Sequence, residues 1–164
     1  MRGIYLLLGS NMGDRMAMLE ESRSAIEHRV GPVLSASSWY ETEAWGVEDQ
    51  ASFLNQVLEV SSRMNPQQLL AEVLDIERDL GRERFRKWGE RVIDIDILYF
   101  GERVVLDDNL KIPHPFIQER RFTLAPLAEI APEFVHPLIG KSQQELLAIC
   151  RDPLQVAQLI KEVV

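Results

Sequence analysis

Residues 84–100 read RFRKWGERVIDIDILYF, so a basic run that contains a glycine leads into an apolar segment with two aspartates. The isoleucine, leucine and aromatic residues of 92–100 predict a β-strand. Side chains alternate along a strand, so Asp94 and Asp96 share one face while the isoleucines point to the other, toward the core. The segment therefore predicts a strand with one apolar face and one carboxylate face.

The sequence on either side of this strand predicts a layered α+β fold. Further strands are predicted at 3–10, 33–42 and 52–62, and helices after Asp14 and from Pro66 to Gly81. Downstream we expect a hairpin near Val104 and Val105 and short helices at 117–130, 142–150 and 153–163. The order βαββαβ is that of a ferredoxin-like sandwich with an antiparallel sheet, to which an extra hairpin and C-terminal helices are added.

Length and composition predict one globular domain that spans 1–164. The chain has 164 residues, of which 46% are hydrophobic and 27% are charged, as is usual for a soluble domain with its own core. It contains no apolar run of the roughly 18 residues that would span a bilayer. The single Cys150 excludes an intramolecular disulfide framework and a cysteine-based metal site. We therefore expect a cytoplasmic monomer.

The charge distribution indicates which kind of partner to expect. The formal net charge is −8, which argues against nucleic-acid and anionic-membrane binding, because surfaces that bind those partners are usually basic. Between Arg82 and Arg91, however, five basic residues outnumber two acidic ones. A local basic cluster on an acidic protein predicts a small anionic ligand.

The pair Asp94 and Asp96 admits two interpretations. The two Cα atoms would lie roughly 7 Å apart, and the carboxylates would repel each other by about 2 kcal/mol at an effective dielectric near 20. Mg²⁺ is usually held by one or two carboxylates plus substrate phosphates, so a metal site would offset that repulsion. The alternative is an exposed sheet face on which Arg or Lys side chains pair with the aspartates. For an isolated Asp-x-Asp this alternative is the commoner.

Basic residues around the pair shift the balance toward a phosphate site. Three precede it and three follow it, namely Arg82, Arg84, Arg91, His114, Arg120 and Arg121. Arginine presents a planar, permanently charged fork to phosphate oxygens. The sequence has neither GxxxxGK(S/T) nor GxGxxG, so a P-loop or Rossmann site is unsupported. The residues alone leave a nucleotide-phosphate site and the paired sheet face at even weight.

Ordered motifs over most of the chain narrow the choice. A Trp-Gly-x-Arg-x-x-Asp-x-Asp run is formed by Trp88, Gly89, Arg91, Asp94 and Asp96. Others are LGSN at 8–11, YETEAWG at 40–46, FLNQV at 53–57, IERDLGR at 76–82, IPHP at 112–115 and RRFTLAPLAEIAPE at 120–133. In this order, over about 130 residues, the motifs resemble those of the 6-hydroxymethyl-7,8-dihydropterin pyrophosphokinase family.

The resemblance implies an ATP-dependent diphosphotransferase of folate biosynthesis, which transfers pyrophosphate from ATP to the hydroxymethyl group of a reduced pterin and releases AMP. It implies that Asp94 and Asp96 hold two Mg²⁺ ions. Arg82 and Arg91 would stabilise charge on the transferred phosphates, so that positioning and electrostatics carry the catalysis. The residues implied to contact ATP are Glu77, Arg82, Arg84, Arg91, Ile97, His114 and Arg120.

The resemblance also implies a site for the pterin. The ring would lie between the aromatic side chains of Phe53 and Phe122, and side-chain and backbone groups would hydrogen-bond its polar edge. The basic loop 82–91 would close over the substrates. Taken singly, the two phenylalanines would more often be core residues. The residues implied to bind the pterin are Thr42, Trp45, Phe53, Asn55, Trp88 and Phe122.

Two functions of other classes stay open. One is a different two-metal nucleotidyl- or phosphotransferase. In such an enzyme a nucleic acid or a sugar, and not a pterin, would bind around Phe53, Asn55 and Phe122. The other is a non-enzymatic ferredoxin-like binding module, for example for RNA. The net charge of −8 and the lack of an aromatic-rich RNA-binding strand oppose that module.

Overall fold

The computed structural model describes residues 2–42, 52–83 and 93–159, and within these ranges eight strands and four α-helices follow one another. The strands are β1 (Ile4–Ser10), β2 (Val33–Ala36), β3 (Trp39–Thr42), β4 (Phe53–Val60), β5 (Asp94–Phe100), β6 (Val105–Asp107), β7 (Leu110–Ile112) and β8 (Val156–Leu159). The helices are α1 (Arg15–Arg29), α2 (Pro66–Glu83), α3 (Arg121–Ile130) and α4 (Gln143–Ile149), and a 3₁₀ turn covers Ile117–Glu119.

Strand pairing confirms the predicted βαββαβ order. The main sheet is antiparallel, in the order β5-β1-β4-β3-β8, and β2 also pairs with β4. The predicted strand 33–42 is thus interrupted at Ser37 and Ser38, and its two halves, β2 and β3, pair with successive parts of β4. The predicted hairpin is β6–β7. The sheet has the strand arrangement of a ferredoxin-like fold.

The two faces of the sheet pack against different helices. On one face, apolar residues of α1 and α2 form a core with β1, β4 and β5, in which Ile93, Ile95 and Ile97 are buried as predicted. On the other face, Leu124 and Leu127 of α3 and residues of α4 form a second core with β1, β4 and β5. Asp94 and Asp96 belong to this second face, where an uncovered part of the sheet forms a cavity.

The C-terminal region differs from the prediction. Helix 142–150 is confirmed as α4, and 117–130 is divided between the 3₁₀ turn and α3. The predicted helix 153–163 is wrong, because Val156–Leu159 is the strand β8, which pairs antiparallel with β3. Gln158 Nε2 also donates to Ser38 Oγ at 3.0 Å. Hydrogen bonds to the outer edge of β3, far away in sequence, stabilise the extended conformation here.

Candidate active site

A cavity of about 770 Å³ opens on the second face of the sheet. Side chains from four strands, from the start of α3 and from the segment after α4 line it. Its wall brings together seven of the predicted site residues, which are Thr42, Phe53, Asn55, Asp94, Asp96, Arg120 and Phe122. The proposed metal, pterin and phosphate residues therefore share one space.

Strand register sets the distance between the carboxylates and the amide of Asn55. Gly9 on β1 pairs with Asp94 on β5 and with Asn55 on β4. Adjacent strands lie about 4.8 Å apart, so the Cα atoms of Asp94 and Asn55 are roughly 10 Å apart. Asp96 follows Asp94 by two residues and pairs with Leu7. The cavity thus has a carboxylate end on β5 and an amide end on β4.

At the amide end, two buried side chains carry polar atoms that need a partner. Asn55 Nδ2 donates to the carbonyl of Leu8 at 3.3 Å, which fixes the orientation of the amide. Asn55 Oδ1 and Thr42 Oγ1 have no hydrogen-bond partner among the described residues, although these residues are only 4% and 3% exposed. An unsatisfied buried polar atom costs free energy, so a polar ligand edge would stabilise this part of the site.

Glu77 on α2 supports the carboxylate strand. Its Oε2 accepts a hydrogen bond of 2.7 Å from the amide of Ile95, which lies between Asp94 and Asp96. The side chain of Ile97 is 5% exposed and belongs to the core. Because β5 is an edge strand, Ile97 could contact a nucleotide through its backbone and not through its side chain.

His114 and Arg120 lie beside the end of β5. His114 N donates to Leu98 O at 2.9 Å, and its Nδ1 accepts from Phe116 N at 3.2 Å, so Nε2 is the donor of the neutral ring. Burial and the guanidinium of Arg120 lower the pKa of His114 to about 4. That guanidinium lies 5.0 Å from the ring centroid of Phe116 and 5.6 Å from that of Phe122.

Five predicted site residues either lie outside the described residues or have a side chain that is not described. Trp45, Arg84, Trp88 and Arg91 lie outside the described residues. The backbone of Arg82 belongs to the last turn of α2, and its side chain is not described. Their roles in phosphate binding, in pterin binding and in closure of the loop 82–91 stay predictions.

The cavity also has a wall that the sequence analysis did not predict. Seven residues form this wall, namely Gln118, Glu119, Ile149, Arg151, Asp152, Pro153 and Leu154. One feature of the sequence could have indicated part of this wall. The pair Asp152-Pro153 is typical of a turn. Gly9 was named above only as part of the LGSN motif. Its contact with Asn55 depends on the register of β1 and β4 and is not visible in the sequence.

Asp94 and Asp96 fit Mg²⁺ as a partial set of ligands. Among the described residues no group of three or more His, Cys, Asp and Glu side chains could hold a metal ion. A pair of carboxylates on one face leaves the remaining positions to phosphate oxygens and water, as is usual for Mg²⁺.

None of the helices in the described ranges has both the length and the apolar character needed to cross a membrane.

Known proteins resemble this chain both in sequence and in fold. The family model of 7,8-dihydro-6-hydroxymethylpterin-pyrophosphokinase matches residues 5–132. The 2-amino-4-hydroxy-6-hydroxymethyldihydropteridine pyrophosphokinase of Aquifex aeolicus is 41% identical over 145 residues, which are 88% of this chain and 90% of the relative. The enzyme of the same name from Methylorubrum extorquens is 45% identical over 148 residues, with the same coverage of 88% and 90%.

Solved structures show the same fold at low identity. The crystal structure of wild-type Plasmodium falciparum HPPK-DHPS matches with a TM-score of 0.73 at 16% identity, over 88% of this chain and 44% of that chain. Fold, motifs and sequence identity agree. The chain belongs to the 7,8-dihydro-6-hydroxymethylpterin-pyrophosphokinase family, and it is an ATP-dependent diphosphotransferase that transfers pyrophosphate to hydroxymethyldihydropterin in folate biosynthesis.

Proposed function

We propose that the cavity binds the pterin at its amide end and the ATP phosphates at its carboxylate end. The observation that carries this proposal is the row of Asp94, Gly9 and Asn55 across three neighbouring strands. A flat acceptor over β4 can direct its hydroxymethyl group toward β5, where the phosphates would lie. The row thus supports direct transfer within one space, since reacting groups must be held close together.

The amide end suits a pterin in shape and in hydrogen bonding. Phe53 and Phe122 line the cavity and offer aromatic surfaces to a flat heterocycle. Asn55 Oδ1 and Thr42 Oγ1 are buried acceptors without a described partner, and they would accept hydrogen bonds from N–H groups of the ring edge. Trp45 and Trp88 are proposed to complete this site.

The carboxylate end suits a nucleotide. Arg120 would pair with phosphate oxygens, and His114 would donate from Nε2, because its lowered pKa keeps the ring neutral near pH 7. The backbone of Ile97 would contact ATP at the outer edge of β5, which Glu77 supports through Ile95. Arg82, Arg84 and Arg91 would add positive charge from the basic loop.

Asp94 and Asp96 are proposed to hold two Mg²⁺ ions. Mg²⁺ at such a site neutralises phosphate charge and lowers the pKa of a coordinated hydroxyl. The chain's own contribution is to hold the two carboxylates on one strand face, with the Cα atom of Asp94 about 10 Å from that of Asn55. The other groups of the cavity bind and orient the two substrates.

We also propose that the chain acts as a single domain over 1–164, as a cytoplasmic monomer. The lone Cys150 is consistent with a reducing compartment. Sedimentation at several protein concentrations would check the monomer, and a concentration-dependent increase in mass would contradict it.

The activity is tested by identifying the nucleotide product. The purified chain is incubated with ATP, Mg²⁺ and 6-hydroxymethyl-7,8-dihydropterin, and adenine nucleotides are separated by chromatography. We expect AMP, formed in proportion to the pterin and abolished by a chelator. Formation of ADP, or of AMP without the pterin, would contradict pyrophosphate transfer to this acceptor.

A further inference from the structure

The C-terminal arm, residues 150–154, closes one side of the cavity. It follows α4 and leads into β8. Four of its five residues line the cavity, which are Arg151, Asp152, Pro153 and Leu154. The arm lies beyond residue 132, where the family match ends, and the motifs in the sequence give it no role.

Arg121 and Asp152 hold the arm against α3 by a reciprocal contact. Arg121 N donates to Asp152 Oδ2 at 3.0 Å. In return, the Arg121 guanidinium donates to the carbonyl of Asp152 from Nε at 3.3 Å and from Nη2 at 3.1 Å. Nη2 also donates to Cys150 O at 3.1 Å. Each side chain binds the other residue's backbone, so the two segments are held as a unit.

Asp152 supplies a cap for α3 from a distant part of the chain. The helix begins at Arg121, and within the described residues the side chain of its N-cap residue, Arg120, makes no capping hydrogen bond. The Asp152 carboxylate accepts from the first helical amide instead, and its charge interacts favourably with the helix dipole. Its second oxygen, Oδ1, accepts from Leu154 N at 3.0 Å, so the same side chain shapes the arm.

The arm runs between two residues of the proposed pterin site. At one end it is tied to Arg121, which directly precedes Phe122. At the other end it leads to Val156, which pairs with Thr42 across β8 and β3. Asp94 and Asp96 lie on β5, at the opposite edge of the sheet. The arm therefore borders the acceptor and not the metal.

We propose that Arg121 and Asp152 are positioning residues that set the affinity for the acceptor by holding Phe122 and the arm as one wall of the pterin site. This inference rests on the proposed pterin site. Without the contact, the first turn of α3 loses its cap and the aromatic ring loses its fixed orientation. The loss falls mainly on acceptor binding, because the carboxylate strand is held separately by Glu77 and the Arg120 guanidinium keeps its contact with the ring of Phe116.

The test compares the two substrates. The full-length chain and its variants Asp152→Ala, Asp152→Asn and Arg121→Ala are titrated with 6-hydroxymethyl-7,8-dihydropterin and, separately, with Mg-ATP. We expect both alanine variants to raise the Kd for the pterin by about fivefold or more, and the Kd for Mg-ATP by less than about twofold. Asp152→Asn keeps one acceptor oxygen, so its Kd for the pterin should lie between that of the wild type and that of Asp152→Ala. The exposed residues Asp108 and Arg23 give matched controls, Asp108→Ala and Arg23→Ala, which should bind like the wild type.

Hydrogen exchange of the ligand-free chain separates positioning from a merely structural role. Faster exchange at the first amides of α3 in Asp152→Ala, together with weaker pterin binding, supports the proposal. Faster exchange with unchanged pterin affinity overturns the proposal. An equal loss of affinity for the pterin and for Mg-ATP also overturns it. Phe122→Ala and Asn55→Ala report on the pterin site itself. If neither weakens pterin binding, the site assignment fails; if both do and Asp152→Ala does not, only the role of the arm fails.

Discussion

Gly9 and Asn55 face each other across β1 and β4 with no room for a side chain between them. A Cβ on Gly9 would lie 2.7 Å from Asn55 Nδ2. That nitrogen donates to the carbonyl of Leu8, and this hydrogen bond orients the Asn55 amide. Gly9 therefore shapes the proposed acceptor site through Asn55.

We expect Gly9→Ala to raise the Kd for the pterin about tenfold, because the amide must move away from its place beside Leu8 and loses hydrogen bonds to the ligand. Pterin titrations of Gly9→Ala, Asn55→Ala and the double variant measure this. If Gly9 acts through Asn55, the double variant binds like Asn55→Ala alone. Additive losses would show that the glycine acts in another way.

Asp96→Ala should remove nearly all AMP formation, with a rate loss of at least about a hundredfold, because the proposed Mg²⁺ site would lose one of its two carboxylates. The fold should persist, since Asp96 lies on the cavity face and not in the isoleucine core. Rates at saturating substrates and thermal unfolding measure the two effects. The exposed Asp108→Ala serves as the control. Mg²⁺-dependent turnover near the wild-type rate would rule out the metal assignment.

Much of the fold followed from local patterns in the sequence. The alternation in 92–100 placed Asp94 and Asp96 on one face of a strand and the isoleucines in the core, as the structure confirms. The predicted cap at Asp14 and the predicted helix start at Pro66 are confirmed as well. Such features depend on neighbours along the chain, so sequence reasoning reaches them.

The arm and β8 could not be predicted in this way. The C-terminal segment has the pattern of a broken amphipathic helix, which favoured a helix over 153–163, and a proline such as Pro153 is compatible with a first helical turn. The strand forms because β3 offers a free edge to Val156–Leu159. Such pairings, like the approach of Gly9 to Asn55, depend on contacts between distant segments.

Glu77→Ala should lower the Tm by about 2–8 °C, because the amide of Ile95 loses the carboxylate that accepts its hydrogen bond. Glu77→Gln retains an acceptor oxygen and should fall between the alanine variant and the wild type. Scanning calorimetry measures the shift. Glu27 is an exposed glutamate of α1, so Glu27→Ala is a suitable control. A Tm of Glu77→Ala equal to that of this control would show that the contact does not support β5.

His114 should make the chain less stable in mild acid. Its pKa is about 4 in the folded chain, against an ordinary value of 6.5, so below pH 6.5 the unfolded chain binds more protons than the folded one. The stability due to the neutral ring is complete above about pH 6.5 and is lost as the pH falls toward 4. Burial lowers the pKa of His136 as well, so its contribution has the same sign.

The variant His114→Gln isolates this effect, because His136 is present in both chains. Urea unfolding of both chains at pH 7.5 and at pH 5 gives the change in unfolding free energy between the two pH values. We expect the wild type to lose more stability between these two values than the variant does. The His114 ring should also titrate near pH 4 by NMR in the wild type. Equal losses in both chains, or a titration near 6.5, would show that Arg120 and burial do not keep this ring neutral.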